Sequence, residues 1–146
     1  MTPCKTITLL GSTNLTAAAS VTGDAVDLGG NYKHLAVLLS LTTMAGGGGA
    51  GDTLDVYIDV SPDGGTTWIN AIHFTQITGA QAAQKQLAKL TEQGVQATAP
   101  VVVTADAASG VVRDVGFFNT IRERHVAVEG AGDINMTFNI KAHAKA

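Results

Sequence analysis

The sequence predicts an all-β fold, an antiparallel β-sandwich of jelly-roll type. Three observations predict it. Apolar residues recur with period two wherever the pattern is clear, turn-forming glycine, aspartate and asparagine clusters separate the runs, and about eight such short runs are present. A length of 146 residues is about one domain, able to build a core without metal or disulfide help, so residues 1–146 are read as a single sandwich. Cys4 is the only cysteine, which rules out an intrachain disulfide.

The elements follow in order. Thr6 to Leu10 opens as a strand. "LAVLLSLTTM", residues 35–44, is apolar on both faces over much of its length and reads as a central strand. In residues 51–60, "GDTLDVYIDV", Leu54, Val56, Ile58 and Val60 face one way and Asp55, Tyr57 and Asp59 the other. Further strands are expected at residues 67–77, 101–104, 111–118 and 121–128. The last strand places Ile134, Met136, Phe138 and Ile140 opposite Asn135, Thr137, Asn139 and Lys141.

One segment breaks the rhythm. In "TGAQAAQKQLAKLTEQG", residues 78–94, Ala83, Leu87 and Leu90 stand at i, i+4 and i+7, Thr78 and Gln81 fit a capping box, and Gly94 fits a C-terminal stop. This predicts a short helix near residues 80–93, with an extended excursion towards a neighbouring subunit as the alternative. The ends "MTPCK" and "KAHAKA" are expected as flexible arms.

Composition narrows the function. Charged residues make up 14% of the chain, against roughly 25% in an average globular protein, so some surface is expected to be covered by partners. A net charge of -3 and a pI near 5.7 argue against nucleic-acid binding, which calls for Lys and Arg clustered on one face. No apolar run approaches the ~18 residues of a membrane span, and the first residues lack a signal-peptide pattern. A soluble protein assembled in a cytoplasm is expected.

The octapeptide "SPDGGTTW", residues 61–68, fits the S-x-D-x-G-x-T-W Asp-box pattern of sialidase propeller blades. The chain is too short for a propeller and has three arginines in all, so the resemblance carries no activity. Its local chemistry describes a hairpin staple. Ser61 and Asp63 accept from turn N–H groups, Gly64 and Gly65 permit positive φ, and Thr67 and Trp68 start the next strand, with Trp68 packed across the base.

Other patterns give no catalytic site. Gly46, Gly48 and Gly51 spell G-x-G-x-x-G but precede a strand, whereas a dinucleotide fingerprint opens a helix. Asp55 and Asp59 share a strand face ~13 Å apart, too far to chelate one cation, and Asp52 and Asp63 complete no calcium loop. His34, His73, His125 and His143 lack metal-ligand spacing. No nucleophile motif is present, and Cys4 lies near a terminus. In "RERH", Arg122 and Arg124 share one face and Glu123 and His125 the other, which makes these four candidate subunit contacts. The expectation is a protein with no enzymatic activity, no cofactor and no metal.

Three stretches taken together carry a resemblance: "VTGDAVDLGGNYKHLAVLLSLTT", "GDTLDVYIDVSPDGGTTWINAIHFTQITG" and "IRERHVAVEGAGDINMTFNIKAHAKA". A central apolar strand, a D-G-G-x-T-W hairpin and a terminal strand pair around a Gly-rich turn resemble the head decoration, or capsid cement, proteins of tailed bacteriophages. The resemblance implies a virion protein on the capsid exterior, often a homotrimer, that binds the major capsid protein lattice and stiffens it. Two alternatives remain. One is a carbohydrate-binding module of a phage adhesin, using Trp68, Tyr57 or Tyr32; the other is a head-tail or tail structural component.

Overall fold

The computed structural model describes residues 3–29, 31–46, 51–79, 81–95, 100–130 and 133–146. Their strands are β1 (Cys4–Leu15), β2 (Ala19–Thr22), β3 (Val26–Asp27), β4 (His34–Gly46), β5 (Thr53–Ser61), β6 (Ile69–His73), β7 (Ile77–Thr78), β8 (Gln84–Thr91), β9 (Val111–Val112), β10 (Thr120–Val128) and β11 (Ile134–Lys145). One sheet runs β1-β11-β4-β8; the other runs β2-β10-β5-β6-β9, with β3 on β10 and β7 on β5.

The topology is that of a rolled-up ribbon. β1 pairs with β11, β2 with β10, β4 with β8 and β5 with β6, all antiparallel. These are the rungs of one long hairpin whose tip is the β5–β6 turn. Rolling it places alternate rungs in opposite sheets, which is the jelly roll that the spacing of runs and turns predicts.

The alternation in sequence becomes the core. Leu54, Val56, Ile58 and Val60 of β5 face Ile134, Met136, Phe138 and Ile140 of β11 across the sandwich, all buried. β4 is buried at Leu35, Val37, Leu39 and Leu41, between β11 and β8. At the free edge, β1 carries register breaks between Thr8 and Leu10 and between Leu10 and Thr13, which interrupt the row of backbone groups another chain would pair with.

Several expectations are corrected. The helix near residues 80–93 is strand β8. His34 to Leu41 of β4 pair residue by residue with Thr91 to Gln84, and satisfying those backbone groups overrides good helix formers. Burial follows period two, with Ala88 and Leu90 inside while Leu87 is 60% exposed. The extended alternative gave the right conformation, but the segment pairs within its own chain. Residues 101–104 form no strand, and Val102 and Val103 are exposed. Of residues 111–118 only Val111–Val112 is strand, and residues 67–77 divide into β6 and the start of β7. The C-terminal "KAHAKA" is no arm: it ends β11, with Lys145 opposite both Cys4 and His34. Of "MTPCK", Cys4 and Lys5 belong to β1, while Met1 and Thr2 lie outside the described residues. Residues 47–50 of the glycine connector also lie outside them; Gly46 ends β4, and β5 follows Gly51 closely.

Candidate functional site

The most elaborated polar surface is the outer face of the seven-stranded sheet, where β10, β5 and β6 lie side by side. Strand register sets Arg122 opposite Asp59 and Arg124 opposite Tyr57, so the polar sides of β10 and β5 meet. Asp59 is 2% exposed and is the hub. Its Oδ2 accepts from Arg122 Nε at 3.1 Å and Arg124 Nε at 2.7 Å, and its Oδ1 accepts from Arg124 Nη2 at 3.2 Å and Asn70 Nδ2 at 3.2 Å. Arg124 Nη2 also donates to Asp106 at 2.6 Å. Burial works against the Arg124 charge, but hydrogen bonds and charge from Asp59 and Asp106 outweigh it and raise its pKa above the usual arginine value.

Aromatic rings extend the network. Arg122 lies over Trp68 at 4.2 Å from the ring centroid, and Arg124 over Tyr57 at 4.5 Å. Tyr57 stacks on His73 at 4.2 Å between centroids, and His73 Nε2 lies 2.7 Å from Asp55 Oδ1. The Tyr57 phenol is raised above its ordinary pKa, first by burial and then by Asp55 and Asp106, with Arg124 opposing. The segment before β9 closes over this face. The Ala107 N–H donates to Asn70 Oδ1 at 2.9 Å, and the Ala107 carbonyl lies 2.8 Å from His73 Nδ1. Between them is an open recess of about 290 Å³, lined by Asp59, Trp68, Asn70, Asp106, Arg122 and Arg124 among others.

The hairpin "SPDGGTTW" borders this recess. The Gly65 N–H donates to Ser61 Oγ at 2.7 Å, the Ser61 hydroxyl donates to Asp63 Oδ1 at 2.9 Å, and the Thr67 N–H donates to the same oxygen at 2.6 Å. Gly64 and Gly65 take φ of 69° and 104°, values that a Cβ disfavours. The Asp63 carboxyl is held below its ordinary pKa, first by the Thr67 N–H and then by the Thr67 hydroxyl, with the Ser61 hydroxyl adding to them.

No family model matches the sequence, and no curated protein matches it. Among solved structures, the chain is similar to a chain in the structure of infectious bursal disease virus Gx strain. The TM-score is 0.51 at 12% identity, over 100% of this chain and 32% of that one. A second similarity is to the infectious bursal disease virus VP2 subviral particle, with a TM-score of 0.49 at 10% identity, over 99% of this chain and 32% of that one. What is shared is the fold. The chain spans about a third of the length of the chains it matches.

The four candidate subunit contacts divide between two environments. Arg122 and Arg124 are half-buried and engaged by Asp59 within the chain. Glu123 and His125 are each 2% exposed and point into the sandwich, where His125 Nδ1 lies 2.9 Å from Glu123 Oε2 and the imidazole meets Phe138 edge to face at 5.3 Å. Both are buried within the chain, so Arg122 and Arg124 are the members of the set that reach its surface. Sequence reasoning placed the arginines on one strand face but missed Asp59, Asn70 and Asp106 as their partners. Alternation marked the polar sides of β5 and β10, but only strand order makes them neighbours. Among the described residues no three His, Cys, Asp or Glu side chains are grouped as metal ligands, and Asp55 and Asp59 engage His73 and the two arginines separately.

Proposed function

We propose that this protein is a non-enzymatic structural component of a virion that decorates a bacteriophage capsid and stabilises it by binding the major capsid protein lattice. The observation that carries the reading is the jelly-roll strand order, matched over the whole chain by part of a chain from a virus structure. The low charge content supports it, as expected of a surface covered by neighbours. The protein acts on the capsid exterior as a homotrimer and is assembled in the host cytoplasm. A three-fold ring needs only one head-to-tail contact repeated to closure, and repetition over a lattice turns weak contacts into avidity.

The test is light scattering of the purified protein, with co-sedimentation against shells stripped of it. A trimer that co-sediments and raises the heat resistance of the shells is expected. A monomer that ignores shells would overturn the reading.

One observation favours a second reading, that of a carbohydrate-binding module in an adhesin. Trp68 borders a polar recess with Asp59, Asn70 and Asp106, side chains suited to sugar hydroxyls. Against it, one face of the indole is already covered by Arg122. Glycan binding that is lost in Trp68→Ala, with folding intact, would select this reading. A head-tail or tail component of the same virion would bind purified tails in place of shells.

A further inference from the structure

The two outer faces of the sandwich treat charge in opposite ways. On the seven-stranded sheet cations and anions are matched, with Arg122 and Arg124 on Asp59, Arg124 on Asp106 and His73 beside Asp55. On the four-stranded sheet they are not. Register there aligns Lys145 with His34, His143 with Ala36 and Lys89, Lys141 with Leu38 and Leu87, and Asn139 with Ser40 and Lys85. These rows expose Lys85, Lys89, Lys141, Lys145, His34 and His143 and contain no carboxylate. They hold four of the six lysines of a chain whose net charge is -3. None of the ion pairs among the described residues involves these lysines.

Geometry makes this a patch. Lysines four apart on a strand are ~13 Å apart, and β8 and β11, with β4 between them, are ~10 Å apart, so the four cations are staggered over a flat area. Its middle is apolar, with Leu87 60% exposed beside the half-buried Leu38. At one end is a recess of about 430 Å³ lined by His34, Lys89, His143 and Lys145 together with Asp114. The Asp114 carboxylate is taken up by the Thr91 N–H at 2.9 Å and the Thr91 hydroxyl at 2.8 Å. An unmatched cluster of like charge is complementary to an anionic surface.

An apolar centre within a charged rim is the anatomy of a protein interface. Arginine, which grips phosphate with two prongs, and the broad Phe, Tyr and Trp platforms on which bases stack are absent from these rows, whose only rings are His34 and His143. We infer that the outer face of the four-stranded sheet docks on an acidic protein surface of the shell, with Leu38 and Leu87 at the centre and the lysines meeting carboxylates around them. The inference rests on the proposed shell-binding role and adds which face binds and what chemistry receives it.

The experiment is co-sedimentation of the full chain with DNA-free shells at low and high salt. Lys89→Gln with Lys141→Gln is compared with Ala25→Glu plus Ala108→Glu, which makes the same change in net charge at exposed positions off this face. Leu87→Asp is a second variant at the centre, and melting curves confirm that each protein folds. Shell binding is expected to fall about tenfold in the lysine pair, to weaken with salt in the wild type, and to stay within about twofold in the control. Wild-type binding that the lysine pair and Leu87→Asp leave unchanged overturns the docking face while shell binding stands. Absence of wild-type binding overturns both. Lysine-dependent binding to a DNA duplex without binding to empty shells would make the partner a nucleic acid and overturn the inference. Loss of self-association with shell binding intact would make the face a contact between copies and overturn it equally.

Discussion

Arg124 grips Asp59 with two prongs, Nε 2.7 Å from Oδ2 and Nη2 3.2 Å from Oδ1, across the β5–β10 ladder. Asp59 is buried and Arg124 is about a fifth exposed, so the pair is shielded from bulk water. Asp59→Ala would leave two guanidinium groups without their shared acceptor and is expected to cost about 3 kcal/mol in urea denaturation. Arg122→Ala removes one Nε contact and the stack on Trp68, and about 1 kcal/mol is expected. Equal effects of the two variants would show that Asp59 is no hub.

β8 makes a prediction on which helix and strand disagree. A helix would place Leu87 and Leu90 on one stripe, three residues apart, and both truncations would hurt. In the strand Leu90 is 1% exposed and Leu87 60% exposed. Leu90→Ala is expected to cost about 3 kcal/mol, and Leu87→Thr to stay within about 0.5 kcal/mol, in the same denaturation assay. Comparable losses would restore the helix.

The same segment shows what the sequence reveals and what it hides. β5 and β11 are legible because each alternates apolar and polar side chains, and the apolar set of each lines the core; the polar side of β11 meets solvent, whereas that of β5 is buried and satisfied by Arg122, Arg124, Asn70 and His73. β8 is weakly amphipathic, and its residues Gln84, Lys85, Gln86 and Lys89 are good helix formers, so its state is decided by β4 needing a partner, a fact absent from local sequence. The candidate site divides likewise. The Ser61–Asp63–Thr67 hairpin is local and readable, whereas the Arg124–Asp59 and Arg124–Asp106 contacts join residues 65 and 18 apart. The basic face was hidden for the same reason, because Lys85 and Lys89 meet Lys141 and Lys145 on one surface only once β8 joins the sheet.

Asp63 gives the protein an acid-side dependence. Its folded pKa lies below the ordinary 3.8, so it releases its proton more readily in the folded state. The stability it contributes is full above the unfolded value and is lost as the pH falls through the lower, folded value. The Asp63 carboxyl should therefore titrate below 3.8 by NMR, and Asp63→Ala should flatten the fall in stability on the acid side of that value without changing its shape near neutrality. A titration at or above 3.8 would mean that the hairpin hydrogen bonds do not form in solution.

Gly94 follows β8 with φ +70°, and a Cβ there would lie 2.5 Å from the Asp114 carbonyl oxygen and 2.6 Å from the Gly116 nitrogen. Sequence reasoning marked this glycine as a helix stop; its role is to let two backbone segments cross. Both the conformation and the contact oppose a side chain, so Gly94→Ala is expected to cost about 2 kcal/mol or more in thermal melts. Because Asp114 also binds Thr91, the variant should loosen the end of β8, seen as faster amide exchange at Thr91. A neutral substitution would show that the crossing is open enough to accommodate a methyl group.

Glu123 and His125 make the most demanding case, because a polar pair has been placed inside an otherwise apolar sandwich. Glu123 Oε1 fills the space beside Gly23, where an added Cβ would come within 2.6 Å of it, while Oε2 lies 2.9 Å from His125 Nδ1. Removing one partner leaves the other buried and unmatched, and Glu123→Ala is expected to cost about 3 kcal/mol. Replacing both by leucine removes the mismatch along with the pair, and the double variant should be at least as stable as Glu123→Leu or His125→Leu alone; the wild type and these three variants close a double-mutant cycle in urea that gives the coupling. The same proteins separate an internal role from one between subunits. If the pair acts only within the chain, the light-scattering mass of the folded double variant equals that of the wild type. A change in mass at unchanged stability would return these two residues to an interface.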